Sequence, residues 1–550
     1  MLSSREGQCG LRSLSGHSRE LQPGASSLRF RCAAAHAPPR LCAQPFFADL
    51  GPLCPIVLVP CAHLPQVGGV SARRQDITAM RSADDRVDVV VIGGGNAALC
   101  AALSARAHGA RVLLLERAPA YMRGGNTRHT RDIRYAHDGA DRYVTGAYTI
   151  DEFTEDVLRV TGGETNQELL ALTMRESTTL PEWMESQGVR WQAPLRGTLH
   201  LARTNRFFLG GGKAMVNTYY DTAARLGVRV RYEATVQDLI MEDGRCAGVE
   251  VSFDTGVERI QCAAVIIASG GFEANISWHK EYWGDAADNF IIRGPHYNDG
   301  RVLAALLRHD VAVTGNPREF HAVCVDARSP RFDGGIVTRL DSVPFGIVVN
   351  QQGKRFYDEG EDLWPKRYAI WGGLVARQPG QIAYSIIDAQ GLQHFMPSVF
   401  PPIQAESLPA LAATLEREYG LLDTLALVAT VEEYNRHTCA DCAFDPSLLD
   451  GCGAQGLVPP KSHWARPIET PPFYAYPMRP GITFTYMGVS VDSAAHVLRG
   501  DGAPLENVFA AGEVMAGNIL SRGYLAGFGL TIGTVFGRIA GREAGKYVQG

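Results

Sequence analysis

The sequence predicts an α/β fold: a Rossmann-like domain interrupted by an inserted α+β capping domain. Three observations carry this. An apolar run, VDVVVI (87–92), leads into GGGNAA (93–98) and a helical stretch to His108. A glycine-led helix, an alternating segment with two turns and an apolar strand ending in glycines follow over 210–272. From about 316 to 485 the chain turns rich in Pro and aromatics, and the first pattern then resumes. The expected division is therefore 82–315 with 486–550 as one domain, and 316–485 as the cap. A chain of 550 residues is long enough for more than one core.

VDVVVI shows no polar alternation, as expected of a strand buried on both faces. Gly109 ends the helix, and ARVLLLE (110–116) reads as the second strand. GxGxxA falls at Gly93, Gly95 and Ala98, and Glu116 closes the second strand. Such glycines let the backbone approach a pyrophosphate at a helix N-terminus, and the acid takes ribose hydroxyls. An adenine dinucleotide site is expected here, on Gly93, Gly95, Asn96, Ala97, Ala98, Glu116 and Arg117. Residues 210–232 read as glycine loop, helix, Gly227 and strand, and 233–262 alternate around EDG and DTG as a β-meander. AAVIIASGGF (263–272) and ENVFAAGE (506–513) are apolar strands ending in glycine, and 529–548 is a helix.

This order resembles the two-dinucleotide-fold flavoproteins, which implies FAD rather than NAD. In them the Gly–Glu pair, here Gly512–Glu513, touches the cofactor. The last helix, entered at Gly529, Leu530 and Thr531, points its positive end at the flavin.

The net charge of −5 is mild and argues against nucleic-acid binding or a basic membrane face. Only six basic residues are lysines; the arginines suit carboxylate recognition. The 12 cysteines form no disulfide framework, so a reducing, cytoplasmic compartment is expected. Cys439, Cys442 and Cys452, with His437 nearby, are read as incidental thiols rather than a metal site. Residues 1–81 hold no lysine, many Arg, Pro and Cys, and no sustained period. They are expected to be a poorly structured extension ahead of a true start at Met80, with a transit peptide as the alternative.

GGN (124–126), ASGGF (268–272), NDG (298–300), IVVNQQGKRF (347–356), AAGE (510–513) and FGRIAG (536–541) together resemble the fumarate reductase/succinate dehydrogenase flavoprotein family, over nearly all of 84–550. Longer stretches, such as LLERAPAYMRGGNTRHTRDIR, point to a branch of the family acting on a small polycarboxylate. The resemblance implies oxidation of a CH–CH bond, and adds Gly124, Gly125, Asn126, Thr127, Val236, Ser269, Gly270, Asn298 and Asp299 to the FAD contacts. It makes His321 a ligand of a substrate carboxylate and matches Thr338, twelve residues before Asn350, to a family threonine. Arg367 becomes the proton carrier, with Lys366 competing and Glu359, Glu361 and Asp362 as possible relays. Arg522 becomes a carboxylate clamp.

Two departures stand out. The family's His-His-Thr-Met-Gly-Gly run reads TFTYMGV (483–489) here, which leaves Thr485 and Tyr486 to supply hydroxyls and argues against fumarate itself. Ala118 stands where relatives with covalent FAD carry a histidine, so non-covalent FAD is expected. No ferredoxin-like cysteine run is present. The resemblance therefore implies an external electron acceptor: a membrane iron–sulfur/haem partner feeding quinone, with membrane association only through it. The rival readings are a 3-ketosteroid dehydrogenase, with a tyrosine base and an Arg-poor pocket, an aspartate-oxidase-like enzyme and a redox-inert FAD scaffold.

Overall fold

Strand β1 (Val89–Ile92), helix α1 (Asn96–Ala107) and strand β2 (Val112–Leu115) form the expected βαβ unit, and every residue of both strands is buried. The computed structural model describes residues 87–194, 201–438 and 442–550. The expectations for 1–81, including the start at Met80, lie outside the described residues.

A six-stranded sheet runs in the order His496–Leu498, Pro504–Ala510, Ala264–Ile267, β1, β2, Arg229–Arg231. Its pairs are parallel except the first. Five adjacent strands of this sheet therefore end on the same edge, where an open α/β sheet binds ligand. The meander is Thr235–Glu242, Arg245–Phe253 and Gly256–Gln261, turning at the two predicted places.

The C-terminal helix Phe528–Tyr547 lies against α1 at close range, and glycines make this possible. A Cβ on Gly537 would sit 2.6 Å from the Ala97 carbonyl oxygen, and one on Gly541 2.3 Å from that of Ala101. The two helices thus touch backbone to backbone and bring both their N-termini to the same sheet edge.

A second sheet is organised by one long strand, Phe473–Thr485. Ile291–Ile292, Phe320–Asp326, Ala383–Ile387 and Ile403–Ala405 all pair with it, and Ile347–Asn350 extends the sheet from Ala383–Ile387. In the Phe320–Asp326 pairing the register shifts between His321 and Ala322. Such a break re-aims the side chains beside it.

One cysteine expectation is corrected. Cys442 and Cys452 are disulfide-bonded, with Cα atoms 5.7 Å apart, so they are not incidental free thiols. Asp450 ties down the intervening turn, accepting hydrogen bonds from the amides of Cys452 (2.9 Å) and Trp464 (3.0 Å). Cys439 lies outside the described residues. Among the described residues no helix is long and apolar enough to cross a membrane.

Candidate active site

The ends of four strands open into one cavity: Gly93 follows β1, Glu116 follows β2, Ala268 follows Ala264–Ile267, and Ala511 follows Pro504–Ala510. Gly93 adopts φ +113°, and a Cβ there would lie 2.2 Å from the Ala268 carbonyl oxygen, so only glycine fits. α1 starts at Gly95 without a side-chain cap, although Thr127 Oγ1 accepts the Asn96 amide at 3.1 Å. The C-terminal helix starts at Gly527, φ +81°, also without a side-chain cap. Both ends therefore present positive dipole to the cavity.

Glu116 is buried, and desolvation raises its pKa even though Oε1 accepts the Ala118 amide at 2.8 Å. Arg117 pairs with Asp299 at 2.7 Å. Asn126 Nδ2 donates to Glu273 Oε1 (2.5 Å) and to the Thr483 carbonyl (2.6 Å), while its Oδ1, buried, has no hydrogen-bond partner among the described residues. Asn298 also donates to Glu273, at 2.7 Å. Glu513 accepts from the Thr485 amide (2.7 Å) and hydroxyl (3.0 Å). Burial raises the pKa of Glu273, and burial together with the charge of Glu273 raises that of Glu513.

The cavity gathers the sequence-predicted cofactor residues Gly93, Gly95, Asn96, Ala97, Glu116, Arg117, Gly124, Gly125, Asn126, Thr127, Val236, Ser269, Gly270, Asn298, Asp299, Gly512, Glu513, Gly529 and Leu530. Ala98 and Thr531 do not line it. Ala98 belongs to the core, and the Thr531 hydroxyl donates to the Arg134 carbonyl. A bare-backbone cradle, two helix ends without side-chain caps, an acid at the ribose position and an unpartnered amide oxygen all fit FAD.

Beyond the cradle the same cavity is lined by Arg131, Arg293, His321, Arg339, Tyr368 and Tyr524. They come from six segments. Burial lowers the pKa of Arg293 to about 10, and its Nε and Nη1 have no hydrogen-bond partner among the described residues. Burial also lowers that of Arg131, with Arg339 adding to the effect. Burial opposes the charge on Arg339, but Asp341, at 2.6 Å, outweighs it and holds the pKa up. The Arg339 guanidinium also lies 5.0 Å from the Tyr368 ring centre.

Of the predicted catalytic residues, only His321 reaches the cavity. Arg367 does not: its Nη2 donates to the Tyr357 hydroxyl (2.7 Å) and pairs with Glu361. Lys366 is held by Asp156 at 2.6 Å. The supposed relay acids are also engaged elsewhere, Glu359 with Arg355 (2.5 Å) and Asp362 with Arg159. Arg522 donates to the Thr161 carbonyl at 3.0 Å and is half exposed. Thr338 turns its hydroxyl to the Gly335 carbonyl (3.1 Å), Thr485 serves Glu513, and the Tyr486 hydroxyl meets the Gly523 carbonyl.

The chain matches the family described as FAD binding domain over residues 88–529. It belongs to that family. A relative, the NADH:fumarate oxidoreductase of Klebsiella pneumoniae (strain 342), is 26% identical over 474 residues; the match covers 84% of this chain and about half (48%) of the relative. Among solved structures, the open conformation of a flavocytochrome c3 fumarate reductase matches with a TM-score of 0.65 at 23% identity, covering 85% of this chain and 79% of the other. The 3-ketosteroid-Δ4-(5α)-dehydrogenase of Rhodococcus jostii RHA1 matches with a TM-score of 0.64 at 23% identity, covering 86% and 100%. Both structures share the α/β fold with this chain.

Arg131, Arg293, Arg339, Tyr368 and Tyr524 escaped the sequence reading. Two had a signal close by: Arg339 adjoins Thr338, and Tyr368 adjoins Arg367.

Proposed function

We propose that this chain is an FAD-dependent oxidoreductase that removes two hydrogens from a CH–CH bond of a small polycarboxylate, with tricarballylate as substrate and cis-aconitate as product. The observation that carries the reading is the convergence of Arg131, Arg293 and Arg339, all desolvated, on the cavity that holds the glycine cradle. The buried Arg293 guanidinium, with two open donors, calls for an anionic partner, and planar forks suit carboxylates. The stretch LLERAPAYMRGGNTRHTRDIR, which includes Arg131, resembles FAD-dependent tricarballylate dehydrogenase.

FAD, when bound, supplies the hydride acceptor. The chain's own residues must ease loss of a proton from the carbon beside a carboxylate. The arginines do so by holding that carboxylate: charge builds on its oxygens as the C–H bond breaks, and fixed cations stabilise that charge more than the resting substrate. Closure of the cavity by buried aromatic walls, Tyr368 and Tyr524, keeps these interactions strong. In this reading 82–315 with 486–550 hold the cofactor and 316–485 cap it. Ala118, which lines the cofactor cavity, offers no side chain for covalent attachment, so FAD is non-covalent. Electrons leave to an external acceptor, a membrane iron–sulfur/haem protein and quinone.

The ketosteroid reading has Tyr368 and Tyr524 in its favour. Against it, an apolar sterol would leave the buried Arg293 guanidinium without an anionic partner. Anaerobic mixing of the holoprotein with tricarballylate, succinate and a 3-ketosteroid, followed by flavin absorbance, tests the choice. Tricarballylate should bleach the flavin fastest; bleaching by the steroid alone would reject the proposal.

A further inference from the structure

Resting on the polycarboxylate reading, we infer that His321 is the proton acceptor of the reaction rather than a cationic clamp for a substrate carboxylate.

Its placement is the first ground. His321 sits on Phe320–Asp326 where the register with Phe473–Thr485 breaks, and its ring lines the cavity. Tyr524 stacks on it with centroids 3.9 Å apart, and Tyr368 meets it edge-on at 5.4 Å. The ring is therefore fixed from two sides. It is buried, yet neither Nδ1 nor Nε2 has a hydrogen-bond partner among the described residues. A buried polar group left open in this way is costly unless a ligand completes it.

The second ground is charge. The charged groups that act on this ring are Arg293 and Arg339, and both oppose a third cation; burial opposes it more strongly still. Among the described residues no carboxylate holds it, unlike His129, whose Nε2 lies 2.5 Å from Asp333. The imidazole is thus neutral and keeps an open lone pair. The other candidates on this wall lack one. Guanidinium groups hold their protons. Burial raises the pKa of Tyr368 and Tyr524, so both remain phenols, and Tyr524 already accepts the Gly529 amide at 2.8 Å. A histidine base beside a stabilised carboxylate is established chemistry for α-proton removal. Bound carboxylates also offset the two guanidinium charges, which raises the basicity of the ring when substrate is present.

The step balances within the site. The C–H bond beside the clamped carboxylate breaks, and its proton goes to the open ring nitrogen. The electron pair passes through the enediolate into the new C=C bond as hydride leaves the neighbouring carbon for the bound cofactor. The imidazolium then returns its proton to solvent.

The test uses the FAD-loaded full chain, anaerobically, with tricarballylate. Binding is read by equilibrium dialysis and flavin spectral perturbation, chemistry by single-turnover flavin reduction. H321Q keeps an N–H donor but no basic lone pair. It should bind tricarballylate within several-fold of wild type while reduction falls by about 10²- to 10⁴-fold. H321A should regain reduction when imidazole is added, and wild-type reduction should slow as pH falls through one protonation. Reduction by H321Q at near the wild-type rate, with weakened binding alone, would make His321 a clamp and overturn the inference. Failure of imidazole to rescue a folded, yellow H321A would also count against it. If no polycarboxylate binds or reduces even the wild type, the underlying reading falls, and this inference with it.

Discussion

The two ends of the cavity are made differently. At the cofactor end the chain offers backbone: glycines at 93–95, 124–125 and 270, and the first turns of two helices. At the other end, the proposed substrate end, it offers the tips of long side chains, Arg131, Arg293, Arg339, His321, Tyr368 and Tyr524, each from a different segment. Backbone recognition needs a particular main-chain path and therefore tolerates little change in local sequence. Side-chain recognition needs only that a few charged tips converge, and the segments behind them are free to differ. The first arrangement is general to a cofactor, the second particular to a substrate.

The sharpest break in this comparison should come from Arg293→Ala. It removes a buried, unpaired cation from the substrate end alone. Losing such a charge partner costs about 2–5 kcal/mol, or roughly 30-fold to several thousand-fold in binding. KM for tricarballylate should rise accordingly while FAD content stays at the wild-type level. Gly541→Leu should do the reverse. Its side chain would collide with the Ala101 carbonyl and push α1 from the C-terminal helix. A loss of about 1–3 kcal/mol is expected, read as a lower melting temperature and FAD lost on gel filtration.

Glu273→Gln probes the proton held at the cofactor end. Burial raises the Glu273 pKa from 4.5 to about 7. The folded state therefore holds its proton over a range where the unfolded chain has released it. That contribution is full below pH 4.5 and is lost as pH rises to about 7. Glu273→Gln should thus melt higher than wild type at pH 8 and alike at pH 4.5, with substrate affinity unchanged.

The smallest effects should come from the arginines that the family pattern marks and the cavity does not. Arg367 is spent on Glu361 and Tyr357, and Arg522 is half exposed. Ion pairs of this exposure are worth about 0–1 kcal/mol. Arg367→Gln and Arg522→Ala should each change kcat/KM by no more than several-fold. A hundredfold loss in either would mean that the cavity closes on them during turnover.

How much of this was legible follows from the same contrast. The cradle was readable because glycine spacing within a few residues encodes its path, and β1, α1, β2 and the meander fell where the pattern placed them. Ala98 and Thr531 missed the cavity because a helix presents only part of its circumference to one side. The substrate end was hidden by arithmetic and by phase. Most of the 53 basic residues are arginine, so no single one stands out. Arg367 and Tyr368 close a short helix, Trp364–Arg367, where successive side chains diverge by about 100°. Local sequence does not set which of the two faces the cavity, and the structure gives it to Tyr368. Arg293 depends on the strand Ile291–Ile292 pairing with the distant Phe473–Thr485, which local sequence does not encode.

The central claim is that desolvated arginines at the substrate end select a polycarboxylate for oxidation by the cofactor. Anaerobic stopped-flow reduction by tricarballylate, with wild type and Arg293→Ala run side by side at matched FAD content, tests it most directly. The wild-type flavin band should bleach in a single turnover, and the variant should remain yellow at the same tricarballylate concentration. Equal bleaching of the two proteins, or none in the wild type, would contradict it.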